Sequence, residues 1–352
     1  PILGELPSRF ELYLGGGKFE QFATEKFWAW YQLLRTRYRK FRQGFDPVAI
    51  PENVPGDHGR WSEFLDEKLK ESRDLMLVAN IRQTQRLKLK KAGIQTIDEL
   101  ANLSDDIHIS GLSRESFHQL LDQAKLQTKS KKEDGKPHYI LRKIVEGKGL
   151  TILPKANEGD IWFDLEGVQD PVHGDQLEYL IGAAYRDVNS FEEPYAYKDW
   201  WAHSRKEEKK MFENWVEWVQ VRRRQYENLK IYHYGNYEKS AIRRLSQQYS
   251  TKEEIVDEWL RSELLVDLLP VVTGAIVLGE DSYSIKKVEK LYMDSREADV
   301  ATACDSVVAY RKWEASNEPS IPGVAPDGSP QLNAIKKYNR DDCISTVLLH
   351  NW

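Results

Sequence analysis

Cysteine is nearly missing from this chain: Cys304 and Cys343 are its only two among 352 residues. Two thiols exclude a disulfide framework and suit a reducing cytosol, so a cytoplasmic location is expected. Long apolar runs are missing too. No stretch approaches the roughly 18 apolar residues needed to cross a bilayer, so no membrane partner is expected. The start, Pro1-Ile2-Leu3-Gly4, has neither a basic segment nor a sustained apolar one, which argues against a secretory signal. It also lacks an initiating Met, as a fragment or a processed chain would. Nor is there an excess of positive charge, the net charge being -5. That balance does not exclude a polyanionic partner, because a carboxylate-rich site offsets local basic patches. What matters is where Lys and Arg cluster.

What is present is an ordinary globular composition, 40% hydrophobic and 30% charged, over a length that suits two or three domains. Phe10–Leu14 and Lys18–Phe22, around Gly15-Gly16-Gly17, read as a β-hairpin. An aromatic-rich helix follows from Thr24 to Phe41, and another over Ser62–Glu71 after a loop with Pro47, Pro51 and Pro55. Residues 76–130 alternate short helices with Gly-containing turns. Gly93 ends a helix over 83–92, and Thr96 with Glu99 makes a capping box for the next. Ser113 caps a third helix, Arg114 to Leu126, whose apolar stripe is Phe117, Leu120, Leu121 and Ala124. Such paired helices resemble helix-hairpin-helix units, which bind nucleic-acid backbones through amides at helix N-termini. Thr128–Gly135 is polar and charged without apolar anchors, and reads as a domain boundary.

Beyond it, short strands over 138–145 and 149–153 lead into strands over 160–165, 177–186, 195–201 and 229–234. A further element starts at Leu264, and helices are expected over 204–226 and 237–248. Strands first and helix–strand alternation afterwards predict an α/β fold with a mixed sheet flanked by helices. The expected organisation is an N-terminal hairpin and helix segment over 1–75, a helical domain over 76–130 and the α/β domain over 137–352.

Two short segments carry the chemistry. Asp160-Ile-Trp-Phe-Asp-Leu-Glu-Gly167 is a strand-like run in which Asp164 and Glu166, two residues apart, point the same way while Phe163 and Leu165 face the opposite core. A solvent-exposed strand end would also show acidic residues; the aromatic flanks, and Gly167 letting the chain open afterwards, weigh against that. Near the end, Tyr338 and Asp342 stand one helical turn apart and share a face. An ordinary helix surface would show the same pair. Brought together, carboxylates spaced in this way suit two hard divalent cations, which clamp the attacking and leaving oxygens in phosphodiester hydrolysis.

Other residues read two ways. Lys286, Lys287 and Lys290 form either a phosphate-tracking edge or a solvated face, with Val288 and Leu291 behind them. His233 is either a phosphate contact or a satisfied strand-end histidine. Tyr237 and Trp162 either stack on bases or belong to the core. Arg86, Lys88, Lys90 and Lys91 in the helical block are candidates for backbone contact.

Asp164-x-Glu166 and Tyr338-x-x-x-Asp342 resemble the first and third motifs of the DEDD-type 3′–5′ exonucleases, tyrosine subclass. The resemblance implies a ribonuclease-H-like fold, two Mg²⁺ or Mn²⁺ ions, and hydrolysis from single-stranded 3′ ends. The second motif of that superfamily is an Asp on a helix after a strand; the matching segment, Ile231–Glu238, has Glu238 there. Asp257 and Asp267 fit that context less well. Carried over, Asp164, Glu166, Glu238 and Asp342 are metal ligands and catalytic residues, with Tyr338 orienting the attacking water.

More closely, residues 76–352 resemble predicted bacterial RecB-like nucleases with a C-terminal ribonuclease-H-like domain. The segments that carry this are His233–Glu238, Tyr283–Val288, Ser306–Tyr310 with Trp313, and Tyr338–Cys343. In that family a restriction-like nuclease domain and a cysteine-containing segment come first. Here 1–75 matches only the tail of that region, and Gly56–Trp61 has no cysteine, so neither a restriction-like site nor an iron–sulfur cluster is expected. Glu in place of Asp also leaves room for an inactive nucleic-acid-binding scaffold, and the same fold for a structure-specific endonuclease. No base-edge or 2′-hydroxyl reader separates DNA from RNA.

Overall fold

The computed structural model describes residues 6–14, 18–46, 61–129, 135–170, 175–187, 194–294, 302–316 and 329–352, which fall into two units, 1–58 and 59–352. In the first unit, β1 (Arg9–Leu14) and β2 (Lys18–Ala23) pair antiparallel and α1 (Thr24–Gln43) follows directly. The expected Gly15–Gly17 turn lies outside the described residues. Phe10 and Phe22 stack at 5.4 Å, with Phe27 edge-on to both at 5.7 Å. Trp30, Leu34 and Tyr38 stay exposed, so this unit buries little of its apolar surface.

The second unit starts with α2 (Ser62–Glu71) and a block of α3 (Gln83–Lys91), α4 (Ile97–Ala101) and α5 (Arg114–Gln127). Thr96 and Glu99 cap each other's backbone, and the Ser113 hydroxyl accepts from Ser116 N, as the sequence predicts. Leu75, Leu89, Leu100, Phe117 and Leu121 form the block's core. Gln123 joins the block to the rest: its amide donates to the Leu278 carbonyl at 2.6 Å and accepts from the Tyr283 hydroxyl at 2.9 Å.

There follow β3 (Tyr139–Leu141), β4 (Ile161–Gln169), β5 (Gln176–Arg186), β6 (Tyr195–Trp201), α6 (Arg205–Gln225), β7 (Ile231–His233), α7 (Tyr237–Tyr249), α8 (Glu253–Arg261) and β8 (Leu265–Asp267). The chain then runs through α9 (Leu268–Ala275), β9 (Ile276–Leu278), α10 (Ile285–Val288), α11 (Ala303–Ala315) and α12 (Pro330–Asn351). Among the described residues, five strands make one mixed sheet in the order β6-β5-β4-β7-β8. β5 runs antiparallel to β4 and β6, whereas β7 and β8 run parallel to β4. β3 and β9 form a separate antiparallel pair.

The strand period explains the layering. Ile161, Phe163 and Leu165 of β4 enter a core with Phe212, Trp215 and Val219 of α6 and Ile242 of α7. The alternate residues face the other side, where Trp162 packs with Cys343 and Val347 of α12. Asp160 fixes the start of β4, accepting from the amides of Asn157 and Lys230 at 2.8 Å each. None of the described helices is long and apolar enough to cross a membrane.

Two local expectations need correction, and one helix was not expected. Residues 149–152 form a 3-10 turn rather than a strand, because Gly149 sits at φ +60 and Thr151 bonds back into the turn. β4 does not open at Gly167 but continues to Gln169 across a bulge between Glu166 and Gly167. The helix α8 follows a left-handed Lys252 that sequence periodicity does not reveal.

Trp215 is fully buried, 5.2 Å from the Phe163 ring and 5.4 Å from Trp259. Trp215→Ala should lower the unfolding free energy by about 3–5 kcal/mol. Urea denaturation at fixed m-value checks this.

Candidate metal centre and active site

Two elements build the site. β4 brings up Asp164 and Glu166 on the face that α12 covers. That helix is set by Ser329, whose hydroxyl accepts from Leu332 N, with Pro330 in its first turn. Its inward residues include Tyr338, Asn339, Asp342 and Cys343. One oxygen each from Asp164, Glu166 and Asp342 thus lie within 4.8 Å of one another.

Each carboxylate has a different support. Asn339 donates its amide to Asp164 Oδ2 at 2.8 Å and accepts from the Tyr197 hydroxyl at 2.8 Å. This reach requires Gly182, the β5 residue opposite Asp164, since a Cβ there would stand 1.6 Å from Asn339 Oδ1. Ser306 of α11 donates to Glu166 Oε2 at 2.7 Å and is itself hydrogen-bonded to Tyr179. Lys286 of α10 bonds Asp342 and lies 4.4 Å over the Tyr338 ring.

Burial and mutual repulsion govern the protonation of the cluster. Burial, then the Asp342, Glu166 and Glu238 carboxylates, drive Asp164 well above the usual range. Glu166 is pushed up to about 8, chiefly by burial and further by Asp342, while the Ser306 bond acts in the opposite direction. The Tyr338 phenol is raised by burial and then by Asp342, so it keeps its proton at any physiological pH.

Glu238 stands at the first turn of α7, outside the 4.8 Å group but close enough to raise Asp164 electrostatically. Its Oε2 is buried without a hydrogen-bond partner. The ring nitrogen of His233 lies 3.5 Å away but engages the Gly235 carbonyl at 2.7 Å. An all-oxygen donor set with a buried oxygen left unsatisfied fits hard divalent cations.

A mixed sheet whose central strand presents carboxylates to a C-terminal helix bearing another defines a ribonuclease-H-like domain. Residues 161–352 match the family RNase_H_2, described as RNase_H superfamily; the match covers more than half of the chain, which belongs to that family. Membership points to a metal-dependent nuclease acting on nucleic acid. No curated protein and no solved structure matches the chain.

The other sequence candidates divide. Lys286 joins the carboxylates, whereas Lys287 is held by Glu280 at 3.3 Å and Asp281 at 3.2 Å. His233 is fully buried and therefore does not meet a phosphate at the surface. The Tyr237 hydroxyl is committed to Glu178 at 2.8 Å, although its ring is partly exposed. Arg86 is corrected outright: it is buried, with two guanidinium nitrogens 2.8 Å from Asp74, because the helical block has to neutralise that buried acid. Lys90 leans on the same carboxylate at 3.1 Å. Asn339, Ser306, Tyr197 and Gly182 were not singled out, although Asn339 and Ser306 lie within the segments that carried the family resemblance.

A pH consequence follows. In folded protein free of metal, Glu166 titrates at about 8 instead of 4.5. A raised carboxylate pKa means stability that is full below 4.5 and lost as pH rises towards 8. Metal-free thermal melts should therefore fall across that window, and Glu166→Gln should flatten the fall. Mn²⁺ should restore the melting temperature at the alkaline end in the unsubstituted protein far more than in the variant. Melts independent of pH and of Mn²⁺ would mean that the three carboxylates do not share one buried pocket.

Proposed function

We propose that this protein is a two-metal 3′–5′ exonuclease of the DEDD type, tyrosine subclass, acting on single-stranded nucleic acid. The observation that carries this reading is the convergence of Asp164, Glu166 and Asp342 within 4.8 Å, with Tyr338 one turn before Asp342. The quoted segments also support kinship with RecB-like nucleases that carry a C-terminal ribonuclease-H-like domain. Asp164, Glu166, Glu238 and Asp342 hold Mg²⁺ or Mn²⁺. Two such ions supply an activated water near neutral pH and neutralise charge at the phosphate.

The chain's own groups do the rest. Asn339 and Ser306 hold Asp164 and Glu166 in place, leaving their other oxygens for cations. Tyr338, a phenol that keeps its proton, orients the attacking water by hydrogen bonding rather than by taking a proton. Lys286, partly exposed beside Asp342, is the cation placed to meet the substrate's phosphate. Glu238, one methylene longer than Asp, serves as the fourth ligand, and its unsatisfied oxygen is the reason to favour an active enzyme over a scaffold. The helical block supplies contacts to the nucleic-acid backbone.

Mn²⁺-dependent release of mononucleotide from a 3′-labelled single strand tests this, with DNA and RNA strands run in parallel. Asp164→Asn and Asp342→Asn should each cost several orders of magnitude in rate, while strand binding measured in EDTA is retained. Full activity of Asp342→Asn would overturn the assignment. Cleavage of a circular strand would replace the exonuclease with an endonuclease on the same residues.

A further inference from the structure

Between the helical block, residues 142–152 and α9 lies an open depression of about 620 Å³. Arg82, Lys143 and Lys148 stand on its walls, and among the described residues Glu115 is the one acidic residue lining it. All three basic side chains are exposed, and none has an ion-pair partner among the described residues. Several other cations of the same unit are paired: Lys287 and Lys290 with Glu280 and Asp281, Arg223 with Glu258, Arg205 with Asp170. In a chain of net charge -5, three unneutralised cations around one cleft are a local reversal of sign.

The basic wall is anchored at both ends. Arg142 donates its Nε to the carbonyls of Thr273 and Ile276 at 3.1 Å each. Gly149 lies so close to α9 that a Cβ there would be 2.8 Å from the Gly274 carbonyl. Between them, Thr151 Oγ1 reaches the carbonyls of Val145 and Lys148 at 3.0 and 2.8 Å. Lys143 and Lys148 are thus presented from a fixed loop, so little backbone ordering is needed when an anion arrives.

We propose that this cleft binds the phosphodiester backbone of a nucleic-acid strand outside the carboxylate centre. The identity of the polyanion rests on the nuclease reading above. The cations come from two segments, Arg82 before α3 and Lys143 and Lys148 on the 142–152 loop, along an open depression, an arrangement suited to successive phosphates of a polymer rather than to one enclosed small anion. Val145 and Ile152 offer exposed apolar surface in the same cleft for sugars and base edges to cover. A series of hydrogen bonds also links the cleft's wall to the neighbourhood of Lys286. Gln123 on its wall bonds the carbonyls of Leu278 and Glu280. Glu280 in turn holds Lys287, beside Lys286 in α10, and Lys290 in the turn that follows.

The test uses the full chain with Arg82→Gln, Lys143→Gln and Lys148→Gln combined, and Lys143→Glu alone as a second variant. Anisotropy of a fluorescein-labelled long single strand in EDTA should show roughly tenfold or greater weakening in the triple variant. The slope of log affinity against log salt should shrink by about 2, as for three lost phosphate contacts. Mn²⁺-dependent hydrolysis of a dinucleotide, too short to span both sites, should be unchanged. Unaltered affinity and slope would overturn the cleft, as would equal losses on long and short substrates together with a lowered melting temperature. Inorganic tripolyphosphate competing as well as a strand of matched charge would overturn the polymer assignment. Strand binding that falls in the variants, with no hydrolysis by the unsubstituted protein, leaves the cleft standing and removes the nuclease. Intact binding with active hydrolysis does the reverse.

Discussion

Three carboxylate oxygens held within 4.8 Å of one another, largely away from water, are the constraint around which the second unit is arranged. Two full charges at that separation repel by about 3 kcal/mol at an effective dielectric of 20. With Glu238 adding to the field at Asp164, the group cannot be fully ionised on its own. Either protons or cations must enter. Lys286 brings one positive charge to Asp342, which still leaves the cluster in excess of negative charge. The fold therefore carries a local instability that a pair of divalent ions would relieve, and the same feature that costs stability would let the site bind metal.

Holding such a group together demands supports from separate parts of the chain. Asp164 depends on Asn339, which depends on Tyr197 and on the missing side chain of Gly182. Glu166 depends on Ser306 and, behind it, Tyr179. Both chains of contact end in the β5–β6 half of the sheet or in α11, not in α12 itself. The sheet edge that lies farther from β7 and β8 is thus part of the chemistry, because it limits how far each carboxylate can turn away from its neighbours.

Local patterns in the sequence pointed to the carboxylates that cluster because they follow simple periods. Asp164 and Glu166 alternate with buried Phe163 and Leu165, and Tyr338 and Asp342 repeat at one helical turn; a single strand and a single helix suffice to read each pair. The partners were not legible for the opposite reason. Ser306 meets Glu166 across 140 residues and Asn339 meets Asp164 across 175, and no local period encodes those meetings. Arg86 misled because it sits in a run of basic residues. Its partner Asp74 belongs to a different element, and only their packing shows that the pair is internal. Residues 149–153 misled through composition: the apolar run suggests a strand, but Gly149 turns the backbone where a strand would have to continue.

Charge also favours a division of binding and hydrolysis between different surfaces. A phosphate approaching Asp164, Glu166, Glu238 and Asp342 meets four acids and one neighbouring lysine, so without metal the centre repels its own substrate. Even with ions in place, much of their charge is used to neutralise the carboxylates that hold them. Affinity for a long strand must then come from positive charge elsewhere, where no acids cancel it. Arg82, Lys143 and Lys148 meet that condition, and Glu280 meets the complementary one. Together with Asp281 it neutralises Lys287 and Lys290, so these lysines do not compete with the unpaired cations of the cleft for a strand.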